Sequence, residues 1–372
     1  MRDPGDREHE VVLFGATGFT GGLTARYLAN AAPEGFRWAL AGRNRNKLER
    51  LRDELGADVP LLVADAGDPV ALRSVAAATR VVATTVGPYI RYGEPLVAAC
   101  AEAGTDYCDL TGEPEFVDLM YLRHDARARE TGARLVHCCG FDSIPSDLGA
   151  YFTVKQLPED VPIRLEGFLS IHGRPSGGTV ASMRLIAMRF PQFVGTNRRR
   201  RRAEPTPQGR DARASLGVPH HERVVGGWVV PLPVIDPLIV SRSAKALDRY
   251  GPDFTYRHYL ALSGVGSEFR SMFRGGLPKP GEGPSPEERA ASWFKMRFVG
   301  VGDGSRVVTE VSGGDPGYDE TSKMLGESAM CLARDDLPKR SGQLTTAAAM
   351  GDALIERLRR AGISFEALED GP

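Results

Sequence analysis

The chain has 372 residues, 42% hydrophobic and 26% charged, and its 47 Lys and Arg against 48 Asp and Glu leave a net charge of −1. That balance provides no global field for nucleic acid, and the length suggests two or three domains. No run reaches 18 apolar residues, which argues against a membrane-spanning helix, and residues 1–9 are too polar for a signal peptide. The five cysteines (Cys100, Cys108, Cys138, Cys139 and Cys331) are odd in number and form no C-x-x-C pair, so reduced thiols in a cytoplasmic protein are expected, without disulfides or zinc.

The first predicted strand, Val11–Phe14, runs into Gly15-Ala16-Thr17-Gly18-Phe19-Thr20-Gly21, and Gly22–Ala29 reads as a helix. Strand, glycine-rich turn and helix is the context in which such a motif binds a dinucleotide. Gly15 permits the tight turn, Gly18 lets the backbone approach a pyrophosphate, and Gly21 allows close helix–strand packing. All seven residues are therefore expected at the cofactor. The second strand, Phe36–Ala41, ends at Gly42-Arg43-Asn44-Arg45. An NAD site usually carries an acid there for the ribose 2′-OH; here Arg43 occupies the place, and a guanidinium matches a 2′-phosphate. The expected cofactor is NADP(H), with Gly42, Arg43 and Asn44 at its ribose end.

A third strand, Val59–Ala64, closes on Asp65. The helix 69–78 leads to a fourth strand, Val81–Val86, which ends at Gly87-Pro88-Tyr89. A helix over 95–103, a strand Asp106–Leu110, a helix over 115–131 and a strand Arg134–Cys139 follow. This alternation predicts a doubly wound parallel sheet of the Rossmann type, which binds ligands beyond the carboxyl ends of its strands. Asp65, Val86, Gly87, Pro88 and Tyr89 thereby join the cofactor-binding set.

The pattern changes near residue 160. Ile163–Ile171 alternates as a half-buried strand, Gly177-Gly178-Thr179 opens a helix to about Phe190, and Trp293–Val301 and Arg306–Val311 read as a hairpin. Five arginines, Arg198–Arg202, begin a segment expected to be a mobile surface loop over about 197–219, either solvated or docking an acidic partner such as an acyl carrier protein or anionic lipid. Val224–Val240 is apolar but broken by Pro231, Pro233 and Pro237. It reads as core, with a lipid-like pocket, peripheral membrane contact or a homo-oligomer contact as alternatives. Helices over 318–333 and 345–361 close the chain. The expected fold is α/β: a Rossmann domain (1–150), a second α+β domain (151–317) and C-terminal helices (318–372) that return to the first domain.

The glycine turn, Ala41-Gly42-Arg43, Thr85–Tyr89, Tyr107-Cys108-Asp109-Leu110-Thr111-Gly112-Glu113, Gly140–Asp147, Gly177–Thr179 and Gly313–Tyr318 together resemble the saccharopine dehydrogenase-like oxidoreductases. Within them the chain is most similar to the mycobacterial trans-acting enoyl reductases of polyketide-lipid synthesis. The resemblance covers nearly the whole chain. It implies NADP(H), a substrate cleft shaped by the α+β domain, and reduction of a C=C bond in an acyl thioester carried by a polyketide synthase.

Such a reduction needs a hydride at one carbon, a proton at its neighbour and stabilisation of an enolate oxygen. Tyr89, Asp142 and Ser143 lie where the fourth and sixth strands end and are the catalytic candidates, Tyr89 as a proton donor or as a wall beside the cofactor. Asp109 reads as a loop or cap ligand and Glu113 as a helix opener. Tyr151 and Lys155 form a Y-x-x-x-K pair, the signature of a short-chain-dehydrogenase-like carbonyl reductase. That reading, a saccharopine-type amino-acid dehydrogenase and a non-enzymatic NADPH-binding scaffold are the alternatives. His220-His221, the one His pair, lacks the spacing of a metal site.

Overall fold

The computed structural model describes residues 7–173, 188–205, 207–262 and 284–369. The first sheet contains β1 (His9–Phe14), β2 (Trp38–Gly42), β3 (Leu61–Val63), β4 (Thr79–Thr84), β5 (Asp106–Asp109), β6 (Arg134–Val136) and β14 (Gly342–Leu344), in the order β14-β6-β5-β4-β1-β2-β3. Every neighbouring pair is parallel. Val11 and Leu13 pack into one core and Val12 and Phe14 into the other. Burial of both faces is why β1 reads as a continuous apolar run rather than an alternating one.

The helices of this layer are α1 (Phe19–Ala31), α2 (Arg45–Leu55), α3 (Pro69–Ala78), α4 (Tyr89–Tyr92), α5 (Glu94–Ala103) and α6 (Pro114–Thr131). Helix α7 (Ile144–Val154) leaves the end of β6 and packs against β12 and β13 of the second sheet. That sheet holds β7 (Ile163–His172), β8 (Asp211–Ala214), β9 (His220–Glu222), β10 (Gly227–Pro231), β11 (Asp253–Ala261), β12 (Trp293–Gly302), β13 (Ser305–Gly313) and β15 (Ser364–Leu368). Its order is β15-β13-β12-β7-β11-β10-β9, with β8 beside β11. The sheet is mixed, because β7 runs parallel to β11 and antiparallel to β12. The remaining helices are α8 (Phe190–Ala203), α9 (Asp236–Ala246), α10 (Pro286–Ala290), α11 (Asp319–Arg334), α12 (Thr346–Ala349) and α13 (Gly351–Arg360).

Several sequence expectations are corrected here. The sixth strand stops at Val136 rather than Cys139, because Cys138 adopts a positive φ of 63° and turns its N–H onto the Asp109 carboxylate. The helix expected over 345–361 is two helices broken at Met350, where Gly351 takes a φ of 46°. The C-terminal segment also supplies a strand to each sheet: β14 beside β6, and β15 beside β13. Helix α11 does lie on the first sheet, against α1, β1, β4 and β5. Val224–Val240 contributes β10 and the start of α9, with Pro231 ending the strand and Pro237 in the first turn of the helix. The helix expected from Gly177 lies outside the described residues.

The arginine run is not a loop. It forms the last turns of α8, which packs along α6. Helical geometry turns only one of the five inward: Arg200 is buried, and Arg198, Arg199, Arg201 and Arg202 are exposed. The Arg200 guanidinium and that of Arg242 on α9 both pair with the fully buried Asp118 of α6. Asn197 donates to the same carboxylate at 2.9 Å, and Arg200 reaches Gln343 Oε1 on β14 at 2.6 Å. One carboxylate therefore joins α6, α8 and α9, and Arg200 adds β14 through Gln343. Asp118→Ala would strand two buried guanidinium groups; a loss of about 3–5 kcal/mol is expected from urea unfolding, whereas Arg199→Ala should stay within about 0.5 kcal/mol of wild type.

Candidate active site

The carboxyl ends of β1, β2, β4, β5 and β6 converge on one edge of the first sheet. At β1, Gly15 has a φ of 85°, and a Cβ there would lie 2.6 Å from Val86 Cγ2. A Cβ on Gly21 would lie 2.2 Å from the Gly15 carbonyl oxygen, so this glycine is required by packing within the protein. Gly18 differs: its φ is −76°, and a Cβ would meet only the Gly15 oxygen at 3.4 Å. The space above Gly18 is open on the side where a pyrophosphate would approach. Helix α1 begins there with no side-chain cap and no acid in its first turn, leaving its N-terminal N–H groups for an anion. The Thr85 hydroxyl donates to the Gly15 oxygen at 3.2 Å and ties this turn to the end of β4. The Phe19 ring packs edge-on to Tyr318 at 4.7 Å, and the Thr20 carbonyl accepts from Ser322 on α11 at 3.5 Å. Ala16 is buried beneath the turn, and Thr17 Oγ1 would lie 3.8 Å from a Cβ on Gly42.

At the end of β2, Arg43 is exposed and forms no ion pair with the described residues, while its neighbour Arg45 faces Glu49 at 3.7 Å. Asn44 serves the protein itself: its side chain accepts the Lys47 N–H at 3.0 Å and caps α2. Asp65 likewise accepts the Gly67 N–H at 2.8 Å. An open glycine turn, uncapped helix N–H groups and a free guanidinium at the end of β2 fit a dinucleotide with a 2′-phosphate.

The floor of the cleft is organised by two buried carboxylates. Asp109 accepts the Thr111 and Cys138 N–H groups at 3.1 Å each, the Tyr107 hydroxyl at 2.9 Å, and faces His137 Nδ1 at 2.7 Å. Glu113 accepts the N–H groups of Tyr89 and Ile90 at 3.0 and 2.9 Å, fixing the chain after Val86-Gly87-Pro88. Asp109 is thus a loop ligand, and Glu113 reaches across to α4 rather than capping α6. Tyr89 is buried; its hydroxyl donates to the Thr84 carbonyl at 3.1 Å and accepts the Leu110 N–H at 3.2 Å. Burial, together with Asp109, pushes its phenol well above the usual range.

Asp142 is the exception among these acids. It follows β6, is half-buried, and has no hydrogen-bond partner among the described residues. Burial, reinforced by Asp109 and Glu113, raises its carboxyl to about 6. A Cβ on Gly112 would lie 3.0 Å from Asp142 Oδ1, so glycine at 112 keeps space beside that oxygen. Ser143 is fully buried; its hydroxyl has no partner among the described residues and makes no capping bond to α7. Sequence reasoning missed Asp236. This residue opens α9 from the second domain and accepts the Ser146 hydroxyl at 2.5 Å; burial raises it to about 7, with Asp142 adding to the rise. An Asp-Pro step inside a long apolar run was the available signal.

The Y-x-x-x-K reading is corrected. Lys155 bonds Asp352 of α13 at 2.6 Å, and Tyr151 OH lies 3.4 Å from the same carboxylate. Burial and Asp352 raise the Tyr151 phenol, the opposite of what a carbonyl reductase dyad requires. The pair links α7 to α13, and the cleft is served by the other end of α7.

Two substitutions separate the cofactor contacts from packing. Gly18→Val should leave the melting temperature near wild type yet abolish NADPH binding in a fluorescence titration, whereas Gly21→Val should unfold the turn itself. Arg43→Ala should weaken NADPH by about 2 kcal/mol while leaving NADH nearly unchanged; equal loss of both would remove Arg43 from the 2′-phosphate.

Residues 11–136 match the model of the saccharopine dehydrogenase NADP binding domain. The cofactor is NADP(H), in agreement with the missing acid after β2. A trans-acting enoyl reductase of Mycobacterium ulcerans is 38% identical, the match covering 97% of this chain and 98% of that one. A trans-acting enoyl reductase of Mycobacterium tuberculosis is 37% identical with the same coverage. The saccharopine dehydrogenase of Saccharomyces cerevisiae has the same fold at a TM-score of 0.53, with 13% identity over 97% of this chain and 100% of that one. The chain belongs to the trans-acting enoyl reductase family of saccharopine dehydrogenase-like, NADP-dependent oxidoreductases.

Proposed function

We propose that this protein reduces the α,β double bond of a 2-enoyl thioester with NADPH, on an acyl chain presented by a polyketide synthase or its acyl carrier protein. The observation that carries the reading is the end-to-end similarity to proteins named trans-acting enoyl reductases.

NADPH supplies the hydride that forms the new C–H bond at the β-carbon. The glycine turn and the α1 N-terminus hold the pyrophosphate, and Arg43 the 2′-phosphate. As the π bond breaks, Asp142 gives up its carboxyl proton to the α-carbon, leaving a saturated thioester and an Asp142 carboxylate that regains its proton from solvent. Ser143 is the nearby hydroxyl with a free hydrogen for the enolate oxygen. Tyr89, whose hydroxyl is already bonded to two backbone groups, acts as a wall that fixes the ends of β4 and β5 relative to each other. Asp236 of the second domain, bonded to Ser146 of α7, lies within electrostatic reach of Asp142.

The exposed face of α8 supports a partner. Arg198, Arg199, Arg201 and Arg202 lie there with the exposed Phe190 and Val194, a cationic surface with an apolar edge suited to an acidic carrier protein.

NADPH oxidation should be measured in parallel with a medium-chain 2-enoyl thioester and with a 2-oxo acid plus an amine. Turnover of the thioester alone is expected; turnover of the oxo acid pair would assign the protein to C–N chemistry instead. Asp142→Asn should lower kcat by about 10²–10⁴-fold with NADPH affinity retained. In the wild type, kcat should be highest below about pH 6 and fall as the Asp142 proton is lost, a limb absent from the variant. Arg198→Glu with Arg199→Glu should raise KM for the carrier-bound substrate but not for the free thioester; an equal change in both would place the carrier elsewhere.

A further inference from the structure

A cavity of about 550 Å³ lies between α6, α8, α9 and the β14 edge of the first sheet. β14 is four strand spacings from β1, about 19 Å from the glycine turn. Its wall carries Arg129, Arg200, Arg242, Lys245, Lys339 and Arg340, against a single lining carboxylate, Glu204. Asp118 and Asp125 pair with Arg200, Arg242 and Arg129 from beneath. Six cations thus face three carboxylates. Lys339 and Arg340 have no carboxylate partner among the described residues; the Arg340 guanidinium donates to the Ala246 carbonyl at 2.9 Å.

Deeper in, the arginines are incompletely satisfied. Arg200 and Arg242 have side chains only 4% and 8% exposed. Arg200 Nε and Arg242 Nη1 are buried without a hydrogen-bond partner among the described residues. Those two atoms lie beneath the cavity surface; an anion in the cavity would offset the excess charge and provide acceptors for the outer Lys339 and Arg340. The rest of the wall, including Val117, Ile239 and Leu344, is apolar and suits an organic group attached to the anion.

We propose that this cavity is a second ligand site that binds a phosphate ester. An excess of three positive charges suits a dianionic phosphate better than a single carboxylate, and arginine forks match phosphate oxygens. The phosphate comes either from the handle that carries the acyl thioester or from a separate phosphorylated metabolite.

The test is a calorimetric titration of the full chain, saturated with NADPH so that the dinucleotide site is filled. The probes are inorganic phosphate, 4′-phosphopantetheine and pantetheine. Binding is read without turnover, so its failure is distinguishable from failure of the enoyl reductase reading. Expected is millimolar or tighter binding of the phosphate-bearing probes, weakened by added salt and by about tenfold or more in Lys339→Ala/Arg340→Ala, with NADPH affinity unchanged. Both substituted positions are exposed, so the fold should be retained. A preference for 4′-phosphopantetheine over inorganic phosphate identifies the thioester handle as the source; equal binding of the two identifies a separate metabolite. No binding of either, or equal affinity in wild type and variant, overturns the proposal.

Discussion

The arrangement of the two sheets depends on one buried carboxylate. Asp147, in the first turns of α7, accepts the Ser243 hydroxyl of α9 at 2.5 Å, the Thr346 hydroxyl of α12 at 2.7 Å and the Ala347 N–H at 2.8 Å. Burial pushes its carboxyl up, and these three donors pull it back down. A carboxylate removed from water persists only where its lone pairs are answered, so Asp147 requires α9 and α12 to stand where they do. Farther along α7, a Cβ at Gly149 would sit 2.3 Å from the Phe298 ring of β12, so the helix also lies directly on the second sheet. One short helix leaving β6 therefore sets the position of the second domain relative to the cleft.

The acids of the cleft are distinguished by partners rather than by type. Asp109 and Glu113 each accept two backbone N–H groups and act as fixtures for the turns after β4, β5 and β6. Their charges, fixed next to Asp142, help burial raise a carboxyl that has no hydrogen bonds of its own. This is how a carboxylic acid becomes available for proton transfer near neutral pH: it is buried beside two other carboxyl groups that have hydrogen-bond donors, and it has none.

Arginine shows the same contrast. On α8, Arg200 is a packing residue bonded to Gln343 and Glu204 as well as Asp118, while its sequence neighbours point to solvent. The Arg200 guanidinium also lies 4.2 Å from the Tyr121 ring. The inward arginine, together with Arg242, builds the cationic cavity, and the outward ones form a separate surface, so a single run of like residues serves two faces of the molecule.

The first six strands of the first sheet, the helices between them and the glycine turn were legible in the sequence because their determinants are local. Val11–Phe14 carries a parallel strand's apolar run, Gly15–Gly21 a turn that needs glycine at 15 and 21, and Arg43 stands directly after β2. The Y-x-x-x-K spacing and the arginine run were equally local patterns, and both misled, since spacing along a helix does not say what the opposite surface offers. Tertiary structure alone placed Lys155 and Tyr151 on Asp352, Arg200 on Asp118, and β14 and β15 on different sheets. It alone brought Asp236 within electrostatic reach of Asp142, across 94 residues of chain. Backbone conformation follows from neighbours in sequence; the charge state and partner of a buried side chain follow from whatever the fold sets against it.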